Sequence, residues 1–171
     1  MSLHVTEKDH ILGPAEAPIE IVEYADYQCP YCKKAFYIMQ DILKEQGDNI
    51  RFVFRNFPLE EVHPYALHAA IAAEAASGQG KFWEMHDILL ENQRELDDAH
   101  LIKYARIIDM DVEKFKHDFS LESYARKVQD DYTSGEKNGV DSTPTFFVNG
   151  RKYEGNWTTA EFPEYLRSLL P

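Results

Sequence analysis

Between Ile19 and Phe57 the sequence passes from a β-branched run to a helical pattern and back to a strand pattern, and that succession leaves few folds open. Ile19 to Ala25 follows the chain breaks at Pro14 and Pro18 and reads as a strand. Phe36, Met39 and Leu43 then recur at helix spacing until Gly47. Arg51 to Phe57, with Phe52 and Phe54 alternating with their neighbours, reads as a second strand. A crossover of this length implies a right-handed connection and a parallel pair of strands. Alternation places Ile19, Ile21, Glu23 and Ala25 on one face of the first strand, so a carboxylate shares a face with apolar side chains.

From 62 to 138 the pattern is helical throughout. Ala66 to Ala76 is rich in the strongest helix former, and Phe82 to Leu90 carries Trp83, Met85, Ile88 and Leu89. Leu101, Tyr104, Ala105 and Ile108 form a stripe behind an Asp97-Asp98 start. Val112, Phe115 and Phe119 form another, and Leu121, Tyr124, Ala125, Val128 and Tyr132 a fifth. These apolar stripes read as core rather than as a cofactor site. After Gly139 the strand signal returns in Thr145 to Val148, and Asn149-Gly150 before Arg151-Lys152-Tyr153 predicts a hairpin with a type I′ turn. A last helix has Tyr165, Leu166 and Leu169 on its apolar side; Pro163 leaves its first residue open. The expected architecture is one α/β domain whose sheet-forming part, 17–61 and 139–171, is interrupted by an all-helical insertion, 62–138.

The composition narrows the function. Thirty acidic residues against eighteen basic give a formal charge of −12, which disfavours a nucleic-acid binder. No apolar run approaches bilayer length. Two cysteines in 171 residues cannot form a disulfide framework. Residues 1–10 lack the basic and apolar regions of an export signal, so the sequence as it stands is expected to be cytoplasmic, or periplasmic or otherwise extracytoplasmic if a leader has been removed.

The two cysteines, Cys29 and Cys32, stand three positions apart at the predicted start of the first helix. Unpaired amides and the positive end of the helix dipole favour a thiolate at Cys29, and Pro30 suits the first helical position. Cys32 lies deeper in the first turn, so Cys29 is expected to attack and Cys32 to resolve. Stabilising the Cys29 thiolate stabilises the reduced form, which predicts a moderately oxidising pair; Lys33 and Lys34 add little. A purely structural disulfide here would close a very short loop and stabilise little. A zinc site lacks its other ligands, since His63 and His68 are read as lying on different helix faces. No metal or bound cofactor is expected. Glu23, six positions before Cys29, is expected to have a raised pKa and to take the Cys32 proton; the plainer reading is an exposed glutamate at a sheet edge. Pro144 is either a simple strand-entry proline or a cis-proline that lets Thr143 offer its backbone to an extended substrate.

Tyr24 to Cys32, Arg55-Asn56-Phe57-Pro58-Leu59 and Gly139 to Gly150 together resemble the thioredoxin superfamily, and most closely its DsbA-like thiol–disulfide oxidoreductases. The resemblance implies a thioredoxin fold, a central mixed sheet flanked by helices and split by a helical insertion. It implies Glu23 as the buried acid, Cys29 as nucleophile, Cys32 as resolving thiol and Pro144 as the cis-proline. Thr143, Pro144, Pro30 and Tyr31 are the expected substrate contacts. The Pro30-Tyr31 dipeptide is similar to that of glutaredoxins, and Thr143 before the proline to the disulfide isomerases.

The expected partners are proteins with thiols or disulfides, together with a redox partner that resets the cysteine pair and so decides whether the protein acts as oxidase, reductase or isomerase. A monomer is expected. Two rival readings keep the fold: a glutathione-dependent transferase or isomerase, which would not need Cys32, and a non-catalytic redox-sensing or chaperone-like module.

Overall fold

A computed structural model describes residues 3–171; Met1 and Ser2, part of the reading of the first ten residues, lie outside it. Strand β2 (Ile19–Ala25) is the middle strand of a five-stranded sheet and is buried on both faces. It pairs in parallel with β3 (Ile50–Asn56), in register from Ile19 opposite Ile50 to Ala25 opposite Asn56. The connection is helix α1 (Pro30–Gln46), which ends at Gly47 as the spacing predicts. On its other side β2 pairs antiparallel with β4 (Thr145–Val148), which turns through Asn149 and Gly150 into β5 (Arg151–Lys152). Both turn residues have positive φ, 48° and 80°, as a type I′ turn requires. The sheet is therefore mixed.

One strand carries no signal in the sequence. β1 (His10–Leu12) pairs antiparallel with the free edge of β3. Three residues are too few for a pattern to show, and what holds them is distant. His10 Nε2 lies 2.7 Å from the buried Glu74 carboxylate, its ring stacks 3.5 Å from that of Phe82, and Asp9 pairs with Arg55 at 2.8 Å.

Between β3 and β4 run five helices: α2 (Ala66–Ser77), α3 (Phe82–Glu91), α4 (Asp98–Ile107), α5 (Val112–Phe119) and α6 (Glu122–Lys137). Nearly all of α2 is buried, because its alanines let the neighbouring helices approach closely. Asp97 caps α4, accepting from the His100 amide, as the Asp97-Asp98 start suggests. The last helix, α7 (Glu161–Ser168), corrects the sequence reading in one respect. Leu169 lies beyond its end and is 37% exposed, whereas Phe162 and Leu166 anchor it.

Ile19, Ile21 and Ala25 face the core against α1; Val22 and Tyr24 face the other way, with Val53, Phe57 and Phe147. On that second face α6 comes so close that a Cβ on Gly135 would lie 2.8 Å from two ring carbons of Phe57. Phe57 is buried and stacked on Tyr132 at 4.3 Å between centroids, so its ring has nowhere to move. Gly135→Ala is accordingly expected to destabilise the protein by about 1–2 kcal/mol in urea unfolding, overpacking outweighing the gain in helix propensity. A variant as stable as the parent would contradict this packing.

Candidate active site

The cysteines sit where α1 begins. Cys29 is the N-cap residue, with extended backbone (φ −72°, ψ 122°), and Pro30 takes the first helical position. No side chain caps the helix, and the Cys32 amide, which donates to the Cys29 carbonyl at 3.0 Å, also lies near the Cys29 sulfur. The Cys32 thiol donates to that sulfur, and the Cys32 and Tyr31 amides add to it; together these outweigh burial and bring the Cys29 pKa down to about 5. The Thr143 hydroxyl, buried and otherwise without a partner, acts in the same direction. As a thiol, Cys29 donates to the Thr143 carbonyl, 3.6 Å away. Both cysteines are free thiols.

Cys32, 1% exposed against 5% for Cys29, titrates in the opposite sense. Burial first, then its bond to Cys29 and the charges of Cys29 and Glu23, push its pKa well up. The Asp26 amide donates to its sulfur at 3.4 Å. Glu23 is buried near the C-terminal end of the central strand and is not an edge residue; burial alone raises its pKa to about 8. The Thr143–Pro144 peptide bond is cis, and both residues are half-buried beside Cys29. Pro30 and Tyr31 are exposed, Tyr31 at 64%. The structure thus brings a thiolate-prone sulfur, a second thiol and a protonated buried acid to one end of the central strand. Lys33 is tied to the Glu91 carbonyl at 3.3 Å.

Several neighbours carry no role in the sequence reading. The buried Asp26 carboxylate accepts from the amides of Gln28 (2.7 Å) and Leu59 (2.8 Å) and bonds His63 Nδ1 (2.9 Å). The Gln28 bond is an ordinary Asx turn and is legible as an aspartate two residues before its donor; the others are not. His63 lies in the turn before α2, not on a helix face with His68, which is on α2 and bonds Asp98. Gln93, between α3 and α4, donates to the carbonyls of Tyr27 (2.9 Å) and Cys29 (2.8 Å), and so ties the helical block to the cysteine turn. Among the described residues no three His, Cys, Asp or Glu side chains are grouped to hold a metal ion.

The sequence profile of a family described as Thioredoxin matches residues 5–168. The chain belongs to the thioredoxin family. Among solved structures it is similar to oxidised BdbD from Bacillus subtilis, 27% identical with a TM-score of 0.83, covering 95% of this chain and 93% of that one. Alpha-DsbA1 from Wolbachia pipientis, at 21% identity, shares the fold with the same TM-score of 0.83 over 98% of this chain and 93% of that one. Within its family the chain is thus DsbA-like, with the fold of thiol–disulfide oxidoreductases and a Cys-x-x-Cys pair. A relative in Salinispora tropica, "Na(+)/H(+) antiporter NhaA 3", is 46% identical over 149 residues, 87% of this chain but 23% of that protein. The chain therefore spans about a quarter of the length of that relative, and the transport named there is said of the whole protein. Among the described residues no helix is long and apolar enough to cross a membrane.

Proposed function

We propose that the protein exchanges a Cys29–Cys32 disulfide with the thiols of protein substrates. The observation that carries this reading is the opposed titration of two neighbouring sulfurs, Cys29 at about 5 and Cys32 pushed well up. In the oxidised protein a substrate thiolate attacks Cys29 Sγ, the Cys29–Cys32 bond breaks, and Cys32 leaves as a thiolate that takes the proton of Glu23. A second substrate thiolate then attacks the substrate sulfur of the mixed disulfide, and Cys29 leaves as the stable thiolate. The reverse sequence reduces a substrate disulfide, with Cys32 giving its proton to Glu23.

The Thr143 carbonyl beside Cys29 suits a backbone hydrogen bond from an extended substrate, with Pro144, Pro30 and Tyr31 around it. A cleft of about 850 Å³ opens next to Pro30, lined among others by Gln28, Lys33, Tyr65 and Gln93, and has room for the chain around a substrate cysteine. The test is the ultraviolet absorbance of the thiolate, titrated in the reduced protein. The expected midpoint is near 5 and should vanish in Cys29→Ser. A midpoint at the free-thiol value of about 8.5 would remove the activation on which the reading rests.

A further inference from the structure

Glu23 has a second neighbour besides Cys32. Between α1 and α3 lies a cavity of about 360 Å³ lined by Glu23 together with Phe36, Met39 and Phe52. Its other lining residues include Leu12, Gln40 and Lys44, all exposed, and Asp87, half-buried. No hydrogen bond contributes to the proton affinity of the Glu23 carboxyl; burial alone sets it. A cavity of this size beside a carboxyl without a protein partner has room for water to hydrogen-bond it, each molecule taking about 30 Å³.

A buried acid that gives up its proton in each exchange has to be reloaded. On one side of Glu23 stands Cys32, the group it serves, with the Tyr27 phenol, which burial pushes far from titration. On the other side the cavity presents His86, Lys44 and Asp87. His86 bonds the Tyr27 hydroxyl through Nδ1 at 3.1 Å, and burial holds its pKa near 3, so at neutral pH it takes no proton. Lys44 supplies positive charge at the rim. Asp87, raised to about 6 by burial and by the Glu91 and Glu84 carboxylates, both takes and gives protons near pH 7.

We infer that this cavity is the path by which Glu23 exchanges its proton with solvent, and that Asp87 is the relay group at its rim. The inference rests on Glu23 being the proton carrier for Cys32. When Glu23 has protonated the departing Cys32 sulfur, a cavity water returns a proton to its carboxylate. That water is reprotonated from the Asp87 carboxyl, and Asp87 from bulk water. In the opposite direction of exchange each proton moves outward, and no electrons travel along the path.

The test uses the reduced protein at about pH 9, where the Glu23 carboxyl is ionised and can accept the Cys32 proton. Its oxidant is an aromatic disulfide whose coloured thiolate product stays unprotonated. The second coloured thiolate reports closure of the Cys29–Cys32 bond, and a pH indicator in weakly buffered solution reports the proton that Cys32 has lost. In the parent the two traces should coincide. In Asp87→Asn, and in Leu12→Trp, which covers the rim, the proton should appear about tenfold more slowly than the bond closes, less than the loss expected on removing a general acid itself. Asp87→Glu should restore coincidence. Traces that coincide in both Asp87→Asn and Leu12→Trp would overturn the inference, and so would a lag that Asp87→Glu fails to remove. Glu23→Gln separates the two levels, because it should slow bond closure itself. Unchanged closure in that variant would refute the role of Glu23, and the relay with it.

Discussion

Replacing Cys29 by serine is expected to abolish thiol–disulfide exchange, and replacing Cys32 by serine to stop it half-way with the substrate covalently attached. At pH 7 a sulfur that titrates near 5 is almost wholly thiolate. A free thiol is ionised only to a few per cent, so the environment alone raises the attacking species about 30-fold. A serine hydroxyl at position 29 has no comparable anion, and nothing else at the mouth of α1 can replace it. The Cys32→Ser protein should behave differently. Its hydroxyl can still donate to the Cys29 sulfur, the largest influence on that thiolate, so the first attack survives. What is lost is the sulfur that cuts the mixed disulfide. Non-reducing electrophoresis or intact-mass measurement should therefore show an adduct on Cys29 that a reductant releases. Turnover in Cys29→Ser would assign the chemistry elsewhere. Absence of any adduct in Cys32→Ser, in a protein whose parent turns over, would deny the division of labour between the sulfurs.

Glu23→Gln is expected to make the protein more stable while it slows exchange. The Glu23 pKa is raised from 4.5 to about 8 in the folded protein by burial. Folding therefore costs nothing extra below pH 4.5, costs progressively more as pH rises toward 8, and reaches a constant penalty above it. At pH 7 the penalty is about 3 kcal/mol, which the neutral glutamine avoids. Denaturant unfolding of parent and variant should agree near pH 4 and separate steadily up to pH 8. A gap that does not change with pH would mean that the charge of Glu23 is not what differs. The comparison belongs in the oxidised protein. In the reduced one Cys29 contributes the opposite slope: its pKa is lowered from 9.0 to about 5, so its contribution is complete above pH 9 and is lost as pH falls to 5. A residue that lowers stability at neutral pH yet stands beside the sulfur pair fits the proposed role of Glu23 as their proton carrier.

The elements that could be read from the sequence are those whose causes lie within a few residues. Proline punctuation and β-branched spacing predict β2, and apolar spacing predicts α1 and its end at Gly47. Asn149-Gly150 predicts its turn because two adjacent residues must take positive φ. The acidity of Cys29 follows from the same local physics, since the Cys32 thiol and the Cys32 and Tyr31 amides that favour its thiolate belong to the next turn of its own helix. The burial that pushes Cys32 up comes instead from the packing around it. The burial of Glu23 is half legible: alternation puts it on the apolar face and predicts a raised pKa, and strand pairing on both sides makes it central and carries that pKa to about 8. Leu169 shows the reverse failure, an apolar residue in phase with its stripe that the helix does not reach.

By itself, then, the sequence determined the strand, the helix that opens on the cysteines, the hairpin, the helical stretch between them and which of the two sulfurs is the more acidic. Tertiary structure decided everything that depends on two distant segments meeting. Thr143 comes to Cys29 across 114 residues and Gln93 across 64, β1 finds the edge of β3, and Asp87 reaches the cavity beside Glu23. Hydrogen bonds, desolvation and cavities depend on separation in space, and no periodicity along the chain encodes that when the partners lie on different elements.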